Sequence, residues 1–276
     1  PYNDVDIGPV DDDYSPYAKG STSASRMTYC SGNAARTCSI MFKDKLLKTV
    51  GGLAGVSPSA IDMGKEGIVE LKADQLLMTY AEAAKLIADN NASVKQEYYY
   101  VAGECHAPCD DNNNIDMDMI NHRIHIAYLF AAQVAVVEVD EETGKVKVLR
   151  VYVSNDCGRA INPAMVEGQI NGSVVMGMGY ALSEKFEMED GYIKTKGYKQ
   201  LGLPTSLEMP EIKAFLIEEN HPFGPYGAKG LGEMALNPTA PAILNAIYNA
   251  VGVRVTSLPV DPKKLAAAIK GDKIYR

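Results

Sequence analysis

The sequence predicts an α+β fold of mixed sheets with packed helices. The runs 124–139 and 146–153 have strand character, and the loop at 140–144 between them has the composition of a hairpin turn. Helix signals lie on both sides of this hairpin, without the regular strand–helix alternation of an α/β fold. The 276 residues, 46% of them hydrophobic, suffice for one large unit or for two subdomains, expected at about 1–150 and 151–276.

The first hundred residues combine irregular, helical and extended segments. Residues 1–30 are rich in Asp, Ser, Tyr and Gly and are expected to be irregular. Residues 32–50 mix apolar side chains with lysines and predict a helix that ends at Gly51-Gly52. Residues 96–102 contain three tyrosines and a valine and predict a strand.

Four further helices start at recognisable caps. Thr79, followed three residues later by Glu82, forms a capping-box pattern and predicts a helix over 79–90. In the other three, an Asn or Asp precedes a proline that suits the first helical position. These pairs are Asn162-Pro163, Asn237-Pro238 and Asp261-Pro262, and they predict helices to about Glu184, over 238–251 and over 262–270.

Charge and cysteine content restrict the partners and the compartment. The chain has 27 basic and 35 acidic residues, a net charge of −8 and no basic block, which argues against nucleic acid and membranes as partners. No apolar run is long enough to span a bilayer. Five scattered cysteines, an odd number, indicate a reducing, cytoplasmic compartment. Because the chain starts at Pro1 without an initiator Met or a signal peptide, we expect a fragment or a split subunit.

One cluster of potential metal ligands occurs at residues 105–111, Cys-His-Ala-Pro-Cys-Asp-Asp. A zinc site would need further ligands at suitable spacing, for which His122 and His125 are the only candidates. We therefore expect a loop with free thiols, and no metal-ligating residues in this chain.

Familiar nucleotide and hydrolase motifs are incomplete. Gly177-x-Gly179 lacks the third glycine and the preceding strand of a dinucleotide fingerprint, and residues 227–232 lack the Gly-Lys-Ser/Thr of a P-loop. The sequence contains no Gly-x-Ser-x-Gly nucleophile elbow. Nicotinamide, ATP and serine-hydrolase chemistry are therefore disfavoured.

Residues 225–233, Pro-Tyr-Gly-Ala-Lys-Gly-Leu-Gly-Glu, form a glycine-rich loop that ends in an acid. Three glycines within six positions allow a tight bend and a close approach of the backbone to a ligand. Glu233 follows this bend just before the predicted helix at 238. The arrangement is suited to a fixed general base beside a bulky ligand.

Two other polar clusters are weak signals when each is taken alone. Residues 24–34 place Ser25, Arg26 and Thr28 before a helix, where N–H groups, hydroxyls and a guanidinium can bind polar acceptors, although an ordinary helix cap is the commoner interpretation. Gln169 lies in a predicted helix that contains four glycines, which either bring the backbone against a ligand or only pack against another helix.

Four stretches of the sequence carry recognisable motifs. They are residues 20–34 with Ser-Arg-x-Thr and Gly-Asn-Ala, 136–144 with Val-Val-Glu-Val-Asp and Thr-Gly, 156–184 with Asp-Cys-Gly-Arg-Ala-Ile-Asn-Pro and Gly-Gln, and 227–233 with Gly-Ala-Lys-Gly-Leu-Gly-Glu. Their positions span most of the chain, and the combination is specific although no single stretch is. Taken together, the four stretches resemble the C-terminal part of the molybdenum-binding subunit of the xanthine dehydrogenase/aldehyde oxidoreductase family.

The resemblance implies that residues 1–276 form a molybdopterin-binding domain of this type. The cofactor, commonly a cytosine dinucleotide in bacteria, would hold molybdenum through its own dithiolene sulfurs. Glu233 matches the family's catalytic glutamate, which takes a proton from the water-derived oxygen that attacks an electron-poor carbon of the substrate. The residues that match cofactor-binding positions are Ser25, Arg26, Thr28, Gln169, Lys229, Gly230, Leu231 and Gly232.

The resemblance also implies an incomplete enzyme. Earlier segments of the molybdenum subunit, the iron–sulfur domains and the FAD domain are absent from this sequence, so we expect partner chains or domains that carry them. The chain alone should be inactive and should expose a broad surface towards these partners. We expect an N-heterocycle such as a purine or nicotinate as substrate, with an aldehyde second and an aromatic thioester as a further possibility. Phe223 and Tyr226 are candidates to line the substrate pocket. A non-catalytic cofactor-binding or assembly module is the alternative of another class.

Overall fold

The computed structural model of the chain describes residues 5–8, 11, 13, 15, 22–101, 125, 127–272 and 274–275. The chain divides into two compact units, residues 1–21 with 30–101 and residues 22–29 with 102–276. The subdomain boundary expected near residue 150 falls inside a strand that is paired on both sides, where no linker exists. In the described part of the chain, no helix is both long and apolar enough to cross a membrane.

The first unit packs helices against a three-stranded antiparallel sheet in the order β1-β2-β3. Its core contains five buried side chains, Leu46, Val50, Ile61, Ile68 and Ala83. The elements are α1 (Met27–Ala54, whose first three residues belong to the second unit), a 3₁₀ turn (Pro58–Ala60), β1 (Ile61–Met63), β2 (Gly67–Glu70), β3 (Gln75–Thr79) and α2 (Tyr80–Asp89).

Helix α1 is longer than the sequence predicts. It starts at Met27 and continues through Gly51 and Gly52 to Ala54. The left-handed residue that terminates the helix is Gly55, with φ 70°, and the Val56 N–H donates to the Gly51 carbonyl at 2.9 Å. The helix therefore ends before Gly55, which leaves the helical region of φ and ψ, and not at Gly51-Gly52, which remain helical.

The predicted capping box is confirmed. The Glu82 N–H donates to Thr79 Oγ1 at 3.2 Å, and the Thr79 N–H donates to Glu82 Oε2 at 2.8 Å. The strand predicted at 96–102 is wrong for its described part, because residues 96–101 are irregular. Side chains of α1 instead bind carbonyls just before this segment and at its first residue: Lys45 Nζ donates to Lys95 O at 2.7 Å, and Cys38 Sγ lies 3.4 Å from Gln96 O.

The second unit contains the larger sheet, with strand order β4-β5-β8. Its elements are β4 (Ala131–Val139), β5 (Val146–Asp156), α3 (Pro163–Leu182), β6 (Met188–Glu189), β7 (Tyr192–Ile193), α4 (Tyr198–Leu201), β8 (Glu211–Ile217), a 3₁₀ turn (Pro225–Gly227), α5 (Thr239–Val251) and α6 (Pro262–Ile269). Together with the first unit this confirms the α+β class. Strand β4 starts at Ala131, so the prediction of a strand from residue 124 is wrong for the described residues of 124–130, which precede the strand.

The sheet brings three chain segments to one edge. Strands β4 and β5 form the predicted hairpin, whose register runs from Val139 opposite Val146 to Ala131 opposite Asn155. Strand β8 pairs with β5 in parallel and ends with Ile217 beside Asp156. The start of β4 and the segments that follow β5 and β8 therefore lie at the same edge of the sheet, which is formed by the ends of the strands and not by an outer strand.

One face of this sheet is covered and the other is open. Helices α3, α5 and α6 contribute Ile170, Ile243 and Leu265 to the core that covers the inner face. On the outer face, Val134 of β4 and Phe215 of β8 are 62% and 52% exposed. Strand β5 lies between the two edge strands and carries the most buried residues of the sheet.

The helix caps in this unit agree with two of three predictions. Asn162 caps α3, which ends at Leu182, and Asp261 caps α6. Asn237 does not cap α5. The helix begins at Thr239, and Pro238 occupies the N-cap position without a side-chain hydrogen bond. The Thr239 hydroxyl instead donates to Gln133 Oε1 at 2.8 Å and thereby ties α5 to β4.

The glycines of α3 fall into two groups. A Cβ on Gly177 or Gly179 would meet Thr239 or Glu184 closer than 3.0 Å, so these two glycines serve packing. Gly168 and Gly172 have no atom within 4 Å of such a Cβ and leave the helix surface open.

Candidate functional site

A cleft of about 610 Å³ opens in the second unit at the shared edge of the sheet. The start of β4 and the segment before it form one wall. Opposite lie the end of the glycine-rich loop and the start of α5. The lining residues are Ala24, Ser25, His125, 127–129, Ala131, Glu233, Met234, Asn237 and Pro238.

Glu233 is exposed at this cleft and is clamped to the segment before α1. Its N–H donates to Ser25 Oγ at 2.9 Å, and its Oε1 accepts from the Ala24 N–H at 3.1 Å. This exchange has the form of a capping box, between segments that are 208 and 209 residues apart. Ala24 and Ser25 adopt left-handed backbone angles, φ 52° and 54°, a strained conformation that these contacts help to stabilise.

The carboxylate of Glu233 has one bound oxygen and one open oxygen. The Ala24 N–H orients Oε1, while no residue in the described part of the chain donates a hydrogen bond to Oε2. A carboxylate held in this way keeps a fixed direction and can still accept a proton from a group in the cleft.

Two glycines bring the loop against Ser25. A Cβ on Gly230 would lie 1.9 Å from the Ser25 carbonyl oxygen, so only glycine fits at this contact. At Gly232 the nearest atom to such a Cβ is Ser25 Oγ at 3.7 Å, and this position is exposed. The sequence expectation of a close backbone approach is met at Gly230, with the chain itself as the neighbour.

Lys229 is buried and its ammonium group is bound within the chain. Its Nζ lies 2.5 Å from Asp156 Oδ2 at the end of β5, and its backbone N–H donates to Cys157 O at 2.9 Å. The side chain that the sequence analysis assigned to the cofactor therefore pairs with a carboxylate of the protein. The other Asp156 oxygen, Oδ1, accepts from the Gly158 N–H at 3.0 Å.

Two titratable side chains near Lys229 have perturbed pKa values. Burial, together with the positive charge of Lys229, lowers the pKa of His221. The ring of His221 packs edge-on against Tyr29, with centroids 5.4 Å apart, and its Nδ1 accepts from the Phe223 N–H at 3.3 Å. Burial also raises the pKa of the Cys157 thiol.

The other predicted site residues are not among those that line the cleft. Arg26 is exposed just before α1, Thr28 is exposed in its first turn, and Leu231 is half-buried in the loop. Gln169 is exposed on α3 beside the open surface at Gly168, and its side chain makes no hydrogen bond with any described residue. Phe223 and Tyr226 are 65% and 62% exposed and also lie off the cleft wall.

No pattern in the sequence indicates the roles of Ala24 and Asp156. Ala24 acts through a backbone N–H, which leaves no signal in the sequence. Asp156 was part of a recognised motif, but nothing in that motif names Lys229 as its partner. The Cys105–Cys109 cluster and His122 lie outside the described residues. Within those residues no three His, Cys, Asp or Glu side chains lie close enough together to hold a metal ion.

Comparison with known proteins identifies the family. The protein-family model of the molybdopterin cofactor-binding domain matches residues 1–210. The gamma subunit of the 6-hydroxypseudooxynicotine dehydrogenase complex of Paenarthrobacter nicotinovorans is 30% identical over 271 residues, 97% of this chain and 32% of that protein. The xanthine dehydrogenase molybdenum-binding subunit of Escherichia coli O157:H7 is 27% identical over 271 residues, 96% of this chain and 33% of that protein.

A solved structure has the same fold. The aldehyde oxidoreductase from Desulfovibrio gigas matches 92% of this chain and 24% of its own chain, with a TM-score of 0.68 and 25% identity. The chain thus spans about a third of the curated relatives it matches. Since the family model covers most of the chain, the chain belongs to the molybdopterin cofactor-binding domains of the xanthine dehydrogenase/aldehyde oxidoreductase family.

Proposed function

We propose that this chain is part of a molybdenum hydroxylase in which Glu233 is the general base. The observation that carries this proposal is the orientation of the Glu233 carboxylate at the cleft, with Oε1 bound to the Ala24 N–H. The enzyme would oxidise an electron-poor carbon and insert an oxygen derived from water. By itself the chain would not be a competent catalyst.

Several features of the described residues fit a molybdopterin group. The cleft of about 610 Å³ lies in the usual size range of cofactor sites. Gly232, next to the lining residue Glu233, presents exposed backbone without a side chain, and the α3 surface beside Gln169 is open at Gly168 and Gly172. When bound, the group supplies the redox chemistry and the site of oxygen insertion. We propose the cytosine dinucleotide form.

The proposed cofactor contacts differ in kind. Ser25 and Gly232 lie at or beside the cleft, and Arg26, Thr28 and Gln169 expose polar side chains that can reach a long dinucleotide. Lys229, Gly230 and Leu231 would contribute only through the backbone of the loop, because the Lys229 side chain is bound to Asp156.

Glu233 would work by accepting a proton at Oε2. The hydrogen bond from the Ala24 N–H to Oε1 fixes the direction of the carboxylate and leaves the second oxygen open towards the cleft. The clamp from Ser25 to the Glu233 N–H keeps the backbone in place during the transfer. In this role Oε2 would take up the proton that the water-derived oxygen loses, and the hydrogen and two electrons that leave the substrate carbon would be accepted by the cofactor when it is bound.

A matched pair of substitutions tests this role. Glu233→Gln keeps an oxygen that can accept from the Ala24 N–H but cannot take up a proton, so we expect kcat to fall about 10²- to 10⁴-fold. Molybdenum and cytidine monophosphate contents should stay near those of the wild type. Glu219→Gln, an exposed glutamate outside the cleft, is the control. Retention of substantial turnover by Glu233→Gln in the intact enzyme would remove Glu233 from the mechanism.

We propose an N-heterocycle as substrate and an aldehyde as the second candidate. The two curated relatives are named for 6-hydroxypseudooxynicotine and for xanthine, and the structural neighbour is named for aldehydes. A panel of purines, nicotinate and aldehydes with a dye acceptor distinguishes these classes. Turnover of aldehydes alone would contradict the first candidate.

We propose that the chain works with the rest of a molybdenum subunit and with iron–sulfur and FAD subunits in the cytoplasm. The outer face of the β4-β5-β8 sheet exposes Val134, Val136, Phe215 and Ile217, which is typical of a face that packs against further protein. One relative is named as the subunit of a complex. Copurification of tagged chain with iron, flavin and molybdenum tests this, and a monomeric chain without them contradicts it.

A non-catalytic assembly module is the second candidate function. It is disfavoured because Glu233 is held by two separate hydrogen bonds, from the Ala24 N–H to Oε1 and from its own N–H to Ser25 Oγ, and a mere scaffold does not need this arrangement. A complex that contains neither molybdenum nor a nucleotide would support this alternative.

A further inference from the structure

Asp156 and Lys229 form a buried ion pair beside the proposed active-site loop. Asp156 is 8% and Lys229 is 7% exposed, and Lys229 Nζ lies 2.5 Å from Asp156 Oδ2. No other acidic or basic side chain in the described part of the chain is buried, and the other ion pairs described there are at the surface. The pair is therefore unlike every other charge contact that the structure describes.

Stability alone does not explain such a pair. Removing two charges from water is expensive, and a buried ion pair is often no more stable than apolar residues of similar size. Where such pairs bring a benefit, it is frequently the selection of one arrangement among several. The arrangement that this pair can select is that of the two backbone segments to which Asp156 and Lys229 belong.

Backbone hydrogen bonds join these two segments next to the ion pair. The Lys229 N–H donates to Cys157 O at 2.9 Å, and the Arg159 N–H donates to Gly227 O at 3.1 Å. Between these two bonds, Gly158 and Ala228 form an antiparallel bridge. The pair thus links the end of β5 to the glycine-rich loop at Lys229, which lies four residues before Glu233.

The loop needs such an anchor because of its glycines. Gly227, Gly230 and Gly232 give the backbone many accessible conformations, and Tyr226 and Gly227 already adopt left-handed angles of 54° and 90°. Gly158 is also left-handed, and a Cβ there would lie 2.2 Å from Gly227 O, so the two segments touch directly.

We propose that Asp156 and Lys229 are positioning residues that hold the Glu233 carboxylate in the cleft. This inference rests on the proposed function of Glu233 for its effect on turnover. The ion pair fixes the register between the end of β5 and residues 227–230. That register places Gly230 on Ser25, and Ser25 in turn binds the Glu233 N–H. Lys229 therefore acts through the loop, not through contact with a bound ligand.

The test uses single and double variants in the intact enzyme complex. Lys229→Met and Asp156→Asn each leave one buried charge without its partner and should lower thermal stability. The double variant D156N/K229M has no buried charge and should recover stability. If the pair positions Glu233, the double variant still loses about 100-fold in kcat while KM stays within about twofold.

A second readout does not depend on activity. Amide hydrogen exchange of residues 229–236 should be at least about tenfold faster in the double variant, while core strand β5 exchanges as in the wild type. Glu211→Gln, which breaks the exposed pair with Arg150 on the same sheet, is the control and should change neither quantity.

The outcomes separate this proposal from the proposed function. A stable double variant with wild-type exchange and wild-type kcat would overturn the positioning role. Failure of the double variant to fold would also overturn it, because the pair would then serve overall stability. If Glu233→Gln keeps its turnover, the proposed function fails, and faster exchange of residues 229–236 would still support the anchor.

Discussion

The contact between Gly230 and Ser25 can be tested by adding a single methyl group. In Gly230→Ala, the new Cβ would lie 1.9 Å from Ser25 O, whereas ordinary contacts begin at 3.4 Å, so the two segments must separate by about 1.5 Å. The nearest atoms belong to backbone that cannot rotate away. Overpacking of this kind typically destabilises a protein by about 1–3 kcal/mol.

The same displacement should also lower the catalytic rate. Because Ser25 binds the Glu233 N–H, a shift at Gly230 also moves the carboxylate, and a misplacement of about 1 Å can lower the rate about 100-fold. Urea unfolding of the chain measures the first effect, and kcat of the intact complex measures the second.

Gly232→Ala is the matched control for this experiment. Its Cβ would lie 3.7 Å from Ser25 Oγ, an ordinary contact, and its backbone is not left-handed. We expect a change in the free energy of unfolding below about 0.5 kcal/mol. Equal changes in stability for the two substitutions, or wild-type stability and kcat of Gly230→Ala, would refute the reasoning from close approach.

Two further predictions concern side chains next to the loop. The folded-state pKa of His221 lies below its ordinary 6.5, so its contribution to stability is complete above pH 6.5 and is lost as the pH falls through the folded-state value. Urea unfolding between pH 5 and 8 should show this decline, and His221→Gln should reduce it, whereas an unchanged slope would exclude His221 as its source. Burial raises the pKa of the Cys157 thiol, so in the native chain iodoacetamide should modify it more slowly than the half-buried Cys30 and Cys38. Mass spectrometry of labelled peptides measures this, and rapid modification of Cys157 would contradict its burial.

Local patterns predicted the elements that depend on local contacts. The Thr79–Glu82 capping box, the caps Asn162 and Asp261, and the hairpin at 140–144 all involve partners within a few residues, so spacing in the sequence is sufficient to find them.

Other predictions failed where distant contacts compete with the local pattern. The tyrosine-rich segment after residue 95 has strand composition, but side chains of α1 bind the carbonyls of Lys95 and Gln96. Asn237 has the residue type of a helix cap, but α5 starts at Thr239, whose hydroxyl is bound to Gln133 of β4. In each case the partner lies far away in the sequence, where spacing carries no information.

The sequence by itself determined the α+β class, the family and the choice of Glu233 as candidate base, because these depend on residue types in a fixed order. Only the tertiary structure decided how that acid is held. The Ala24 N–H has no side-chain signature, and the Lys229 ammonium group is committed to Asp156 because parallel pairing of β5 and β8 brings both loops to one edge of the sheet. Hydrogen bonds and ion pairs depend on distance in space, which folding sets independently of separation along the chain.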